Sequence, residues 1–450
     1  MKRALVRFVR VAVGLFYRRI EVAGLEHVPR EGPVLFIANH NNGLVDPMVV
    51  LAALSRPVVF VAKSTLWKIP VLRSLLDLLG CVPVVRKGEG EPGISSKGEE
   101  RNSAAFERLA AVLERDGAVL VFPEGRSHSD PRLSEMRTGA ARVLLLSKRF
   151  PVAVPIGLWF EEKEIFRSDV LVKFGGPVPP PMERSVEAWT EAMGVALAAV
   201  TLNADAWKDH EVVAAVDALY GRSVERNFLE GEEREGKARM SQSLRVRQLL
   251  LSVRGALEKT HPGEVASLAR RARALDHLLR RISLSFASLD DPPPTSTILW
   301  NVLKALAVIT LGFPVAVLGV AAWWVPYRLC GAVANRVPGA ASERDQIALY
   351  KLITGVVLFP LTLAGWAAVA WAFGGTAWSA LVLLSLPFAG ILSLLFSEYA
   401  SWRERQAREL LTLLLAPGAI ARLRAERDAL IAECDRLAGT FTGAADNPSR

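Results

Sequence analysis

Six short runs of apolar, mostly β-branched residues punctuate the first part of the chain: VLFIA (34–38), VVFVA (58–62), CVPVV (81–85), AVLVF (118–122), VAVPI (152–156) and VLVKF (170–174). Between them lie longer amphipathic stretches. Over 71–80 and again over 103–116 apolar residues recur every third or fourth position, which predicts two helices, the second capped by Asn102 or Ser103 and stopped by Gly117. Strand-like runs alternating with helical stretches predict an α/β domain over 21–181, built on a largely parallel mixed sheet covered by helices. The runs are continuously apolar, so each strand should be covered on both faces.

Past the punctuation GGPVPPP (Gly175 to Pro181), the pattern turns to helices rich in Ala, Leu and Arg over 182–290, with a break at Pro262 and Gly263. The segment DPPPTS (Asp291 to Ser296) then leads into an apolar region. Leu352 to Ser397 contains no charged residue and is interrupted by Gly374 and Gly375, giving two pieces of about 20 residues, each long enough for a ~30 Å hydrocarbon core. A transmembrane helical hairpin over 352–397 is expected. The earlier uncharged stretch, within 298–328, contains Gly312 and Pro314 and either spans or re-enters. A re-entrant segment keeps Arg328, Arg336 and Arg344 on the same side as Arg403, Arg405 and Arg408, as the positive-inside rule favours, and is the preferred reading. Region 398–450 is expected to be a charged C-terminal helix and tail, with a solvated or self-associating helix around Ala421 to Leu437.

Charge sharpens this picture at the N-terminus. The chain of 450 residues has 55 Lys and Arg against 46 Asp and Glu, a net +9 that suits nucleic acid, an anionic membrane or an acidic substrate. Seven basic and two acidic residues fall in the first thirty positions, interleaved with Leu5, Phe8, Val9, Ala12, Leu15 and Phe16. Residues 1–20 thus read as an amphipathic interfacial helix with a basic flank of Arg3, Arg7, Arg10 and Arg18. The fourteen basic residues between Arg222 and Arg281 lack the interleaved aromatics that stack bases, so a nucleic-acid partner is not expected and a solvated face near lipid headgroups is. No signal peptide is evident, which places the bulk of the chain on the cytoplasmic side. Cys81, Cys330 and Cys434 are too scattered for a disulfide framework or a zinc site.

Two segments carry candidate chemistry. FIANHNNGLVDP (Phe36 to Pro47) sets a histidine and an aspartate at the mouth of a strand, where catalytic groups of α/β domains gather. Asp46 before Pro47 also fits a helix N-cap. FPEGRSHSD (Phe122 to Asp130) again follows a strand, and its glutamate, glycine and arginine suit a polyol phosphate. GEGEPG (Gly88 to Gly93) matches a dinucleotide fingerprint, but no helix follows at once, and it reads as a charged loop. The motifs of serine hydrolases, zincins and nucleotide hydrolases do not occur.

Four motifs occur in the order found in the glycerolipid acyltransferase family, which the chain resembles: Asn39, His40 and Asp46; Gly80, Pro83, Val84 and Arg86; Phe122 through Gly125 with Ser127; and Val154 through Gly157. The family includes lysophosphatidate and glycerol-3-phosphate acyltransferases. Five residues separate His40 from Asp46 where the family usually has four. This spacing, with TGAAR (Thr138 to Arg142), the helical insert and the apolar hairpin, resembles the branch of fungal-type glycerol-3-phosphate and dihydroxyacetone-phosphate acyltransferases.

The resemblance implies an O-acyltransferase of phospholipid biosynthesis. It would take a fatty acyl group from acyl-CoA or acyl carrier protein, as co-substrate and with no cofactor, to a hydroxyl of glycerol 3-phosphate or 1-acylglycerol 3-phosphate. For that reaction His40 is the natural base and Asp46 the group that fixes its tautomer. Backbone amides near the His40 turn or the Glu124–Gly125 turn would meet the oxyanion. The resemblance makes Glu124 and Gly125 acceptor contacts and Arg86 a phosphate ligand; Arg126, Arg137 and Ser127 complete the expected acceptor site, and Pro155 and Gly157 an acyl or acceptor pocket. His128 reads as a turn residue. Dihydroxyacetone phosphate or another lysophospholipid as acceptor, and a non-catalytic membrane lipid-binding scaffold, stay open as alternatives.

Overall fold

Runs of apolar residues that must lose water on both faces become the interior strands of a three-layered unit. The computed structural model describes residues 2–68, 70–85, 95–228, 239–289, 295–336 and 347–445. Arg86, Arg344 and the GEGEPG stretch lie outside the described residues. The chain divides into two compact units, one comprising Met1–Ala206 with Glu233–Leu244 and Ala334–Leu352, the other comprising Trp207–Glu232, Arg245–Val333 and Ile353–Arg450.

The first unit begins with α1 (Lys2–Phe16), β1 (Arg19–Ala23), β2 (Val34–Ala38), α2 (Val45–Ala53), β3 (Val58–Lys63), α3 (Pro70–Leu79) and β4 (Val82–Val84). It continues with α4 (Ser95–Glu114), β5 (Ala118–Val121), α5 (Gly139–Leu146), β6 (Val152–Phe160), β7 (Asp169–Phe174) and α6 (Val186–Val200). The seven strands run in the order β1-β7-β6-β2-β5-β3-β4, all pairs parallel except β6 with β7. This is the expected largely parallel mixed sheet.

Each strand feeds two cores because its side chains alternate sides. Val34, Phe36, Ala38, Leu120 and Ile156 pack with Val9, Val13, Val49 and Leu76 of the helices on one face. Leu35, Ile37, Val119 and Val121 meet Leu109, Leu113, Val143, Leu144, Trp189 and Met193 on the other. Because α6 closes that second face, the sheet unit runs to Ala206 and the expected boundary at 181 falls too early. Helix α4 likewise starts at Ser95, so Asn102 is no cap: its amide donates to Val85 O (2.8 Å) and accepts from Val85 N (2.9 Å), extending β4 by one residue.

Helix α1 buries Val9, Val13 and Phe16 against the sheet unit while Phe8, Val11 and Leu15 face out. Two of its expected basic flank residues are engaged within the unit: Arg10 donates to the carbonyls of Leu51 and Leu54 (3.3 and 2.5 Å), and Arg18 pairs bidentately with Asp169 (2.9 and 2.8 Å). Arg3 and Arg7 are exposed.

The remaining helices are α7 (Trp207–Phe228), α8 (Arg239–Thr260), α9 (Pro262–Arg281), α10 (Thr295–Arg336), α11 (Ile347–Leu415) and α12 (Pro417–Ala445). In the second unit α12 is not wholly solvated. Its Ile420, Leu430, Cys434 and Leu437 share a core with Val212, Val246, Leu268 and Leu275. Arg271 of α9 grips Glu426 and Glu433 of α12, so part of the expected basic face is spent on internal ion pairs.

Helix α10 is a single run of 42 residues that passes through Gly312, Pro314 and Pro326 without turning back, which overturns the re-entrant reading. Neighbouring apolar helices supply the packing that isolated proline and glycine residues would otherwise weaken: Gly312 lies against Phe396, and Gly319 against Ala389 and Ser393. Helix α11 is broken at Gly374 and Gly375, where φ/ψ leave the helical region (−147/15° and 70/−159°), the position at which the sequence set the turn of the expected hairpin. Among the described residues, two helices are long and apolar enough to cross a membrane, Leu306–Arg336 and Ile347–Leu413.

Candidate active site

Strands β2 and β5 are neighbours in parallel register, Val34 beside Ala118 and Ile37 beside Val121. Carried past the strand ends, that register sets His40 level with Glu124, at the carboxyl edge of the sheet where α/β proteins place their sites. Two hydrogen bonds join the loops there. His40 N donates to Glu124 Oε1 (2.8 Å), and His128 N donates to the His40 carbonyl (3.0 Å).

The His40 loop is held from its other side by Asn39, whose amide accepts from Leu158 N (2.7 Å) and donates to Leu158 O (3.0 Å), bridging to β6 after β2 has ended. Asn42 is fully buried and donates to Tyr17 Oη (2.9 Å). Gly43 then takes a left-handed φ of +52°, a conformation that other residues enter only with strain. Val45 N closes on Asn42 O (3.0 Å) and Asp46 N on Gly43 O (3.3 Å). The fifth intervening residue is thus absorbed in the turn.

Asp46 sits inside the first turn of α2, which has Leu44 as its N-cap, so the expected capping role is not its own. Its Oδ2 accepts from His40 Nδ1 (2.9 Å), Asn41 N (2.9 Å) and Asn42 N (2.8 Å). Complete burial pushes its carboxyl above the usual range, while the His40 ring and the two amides pull the other way. The imidazole of His40 stacks on Phe122, ring centres 4.2 Å apart and planes 21° from parallel. About a tenth of the His40 side chain (11%) reaches solvent. Among the described residues no group bonds Nε2, which leaves a base with one nitrogen oriented and the other open.

Glu124 behaves differently from the acceptor contact expected of it. It is 3% exposed, and its Oε2 accepts from Ser134 N (2.8 Å) and from His128 Nε2, so both oxygens are taken by the protein itself. The His128 imidazole is raised from its ordinary pKa, chiefly by the hydrogen bond to Glu124. Gly125 is exposed with φ +72°, and a side chain there would meet Arg137 Cγ at 3.3 Å. Arg126 and Arg137 are both exposed beside it, Arg126 facing Asp130 at 3.8 Å. Arg86 lies outside the described residues.

Pro155 and Gly157, expected in an acyl or acceptor pocket, are packed inside the sheet unit. Both are buried within β6, where a Cβ on Gly157 would stand 1.9 Å from the Val200 carbonyl and Pro155 packs against Gly175. The glycine is there because α6 ends on the strand. The expected oxyanion donors narrow as well: the amides of His40, Asn41 and Asn42 are committed to carboxylates, and Gly125 N donates to Phe122 O (3.0 Å). Among the described residues the amides of Arg126 and Ser127 have no protein partner.

Two residues at this edge carry more than their sequence setting announced. His128 stands four positions after Glu124, a spacing visible in the sequence. Lys163, on the β6–β7 connection, donates to Asn41 O (2.9 Å) and Ser129 Oγ (2.5 Å) and so ties the two loops; nothing in its sequence context marks it.

Residues 19–159 match the family model described as Acyltransferase. The chain is 27% identical over 150 residues to the chloroplastic 1-acyl-sn-glycerol-3-phosphate acyltransferase LPAT1 of Arabidopsis thaliana, covering 33% of this chain and 38% of that protein. It is 21% identical over 301 residues to glycerol-3-phosphate O-acyltransferase 1 of Saccharomyces cerevisiae, covering 46% and 40%. A solved structure, that of the 1-acyl-sn-glycerophosphate acyltransferase PlsC from Thermotoga maritima, superposes with a TM-score of 0.34 at 20% identity, covering 44% of this chain and 78% of that one. The chain spans less than half the length of these two curated relatives. Residues 19–159, which hold the histidine–aspartate pair and the loop bonded to it, are the part of the chain that is similar to the Acyltransferase family.

Proposed function

We propose that this protein transfers a fatty acyl group from a thioester, on acyl-CoA or acyl carrier protein, to a hydroxyl of glycerol 3-phosphate or 1-acylglycerol 3-phosphate. The observation that carries the reading is His40, with Nδ1 fixed on buried Asp46 and Nε2 open at the sheet edge. Nε2 takes the proton of the acceptor hydroxyl as that oxygen attacks the thioester carbonyl. Asp46 keeps the proton of the other nitrogen in place and stabilises the imidazolium. The tetrahedral intermediate then collapses, its C–S bond breaks, and the leaving thiolate takes the proton from His40.

The amides of Arg126 and Ser127, having no partner among the described residues, are the donors assigned to the oxyanion. Arg126 and Arg137, exposed on either side of Gly125, with Arg86, are assigned to the acceptor phosphate. Glu124 serves this site by shaping it, since its oxygens are occupied. The protein acts as an integral membrane enzyme with its catalytic unit on the cytoplasmic side; the long apolar helices and the basic N-terminal segment support that placement.

The test is an assay of acyl transfer to glycerol 3-phosphate, dihydroxyacetone phosphate and lysophosphatidate in turn, with acyl-CoA and acyl carrier protein as donors. His40→Ala should lower kcat by about 10²–10⁴-fold on the accepted substrate. Activity retained in that variant would refute the assigned base.

A further inference from the structure

Both main-chain polar groups of the catalytic histidine are held by one loop. The amide of His40 goes to Glu124 and its carbonyl receives the amide of His128. Glu124 is thus the support on which the His40 backbone rests, and a carboxylate 3% exposed is stable there only while its donors are complete. Those donors are His40 N, Ser134 N and His128 Nε2. Two are fixed by the chain path, and the third is a side chain that is itself 9% exposed.

His128 is suited to that post in either protonation state. When it is neutral, Nδ1 accepts from Asp130 N (3.1 Å), which leaves the ring proton on Nε2 for Glu124. When it is charged, Nδ1 faces the Asp130 carboxylate at 3.3 Å and Nε2 still donates. Among the described residues the imidazole's hydrogen-bonding and ionic partners are Glu124 and Asp130, neither of them assigned to the reaction.

We propose that His128 is a positioning residue for acyl transfer: by completing the donor set of Glu124 it fixes the His40 main chain and hence the direction of Nε2. The inference rests on the acyl-transfer reading above. It makes Glu124 and His128 a single brace and separates both from acceptor binding, which the sequence motif had suggested for Glu124. A misplacement of about 1 Å at the base costs roughly 10²-fold in rate, whereas binding of the acceptor through other groups is unaffected.

The experiment compares the two amide isosteres of histidine in the full chain, with the acceptor that the wild type uses. His128→Gln places an amide nitrogen where Nε2 stands; His128→Asn, one methylene shorter, reaches the Asp130 side but not Glu124. Expected is a kcat for His128→Asn about 10²-fold below wild type with the acceptor KM changed less than about twofold, and for His128→Gln a recovery of roughly tenfold or more. Circular dichroism accompanies each variant, and because the comparison is between two isosteres, a fold defect common to both cancels. Equal kcat for the Asn and Gln variants, or a raised KM at unchanged kcat, would overturn the inference while an active wild type and inactive His40→Ala left the acyl-transfer reading standing. A wild type that transfers no acyl group would overturn that reading itself, and the positioning role with it.

Discussion

At the scale of single residues the site is an exercise in spending hydrogen bonds. Asp46 Oδ2 gathers three donors at 2.8–2.9 Å, one of them His40 Nδ1. Asp46→Asn keeps the shape but replaces the charge that holds the imidazolium, and kcat should fall on the order of 10²–10⁴-fold in the same transfer assay. Gly43 lets five residues close where a left-handed φ of +52° is needed; Gly43→Ala should cost about 1–2 kcal/mol of stability, read as a lower urea midpoint, and lower kcat by shifting Asp46. His128 has a testable pH signature, set by Glu124 and Asp130, which raise its pKa, against burial and Arg126, which lower it. The folded value lies above the ordinary imidazole value of about 6.5, so its contribution is fully present below that pH and is lost as pH rises through the raised value. The stability advantage of wild type over His128→Gln, measured by urea titration, should therefore shrink from mildly acid to alkaline pH.

Elements set the distances those residues depend on. The register of β2 on β5 puts His40 opposite Glu124, and the close landing of α6 on β6 at Gly157 keeps that part of the sheet in place. Gly157→Ala would drive a methyl group into the Val200 carbonyl, 1.9 Å from where the Cβ must be, and a cost of about 1–3 kcal/mol or more is expected from overpacking. Thermal unfolding of the full chain would register it, and an unchanged Tm would mean that α6 does not press on the strand. Glu21 of β1 makes a comparable join, accepting from Met240 N (2.9 Å) and Ser241 N (2.8 Å) at the start of α8. A carboxylate suits a helix N-terminus, where amides are unpaired and the dipole is positive.

On the scale of the whole molecule, the fold joins a sheet unit built for chemistry at one edge to helices whose apolar faces are exposed. Phe313, Leu318, Trp371, Phe373 and Leu384 are more than half exposed, a distribution that water does not favour and a bilayer does. The full chain should therefore remain in the membrane pellet after high-salt and alkaline carbonate washing. Release by carbonate would mean that the apolar helices cover a protein surface instead.

The polarity pattern of the chain by itself determined the positions of six of the seven described strands, the largely parallel sheet and the break in the long apolar stretch, because burial on two faces and paired glycines leave local marks; β1 carried no such run. The motifs likewise singled out His40 and Asp46, which the fold brings within hydrogen-bond distance. Only the tertiary structure decided what their neighbours do. Glu124 read as an acceptor contact, and the fold bonds both its oxygens to His40, Ser134 and His128; Gly157 read as pocket lining, and a Cβ there would meet the Val200 carbonyl; His128 read as a turn residue, and it bonds Glu124. Helix α10 runs unbroken through the glycine and proline that suggested a return. In each case the deciding partner is distant along the chain, and a sequence states what a side chain can donate or accept but not which group the fold will bring to it.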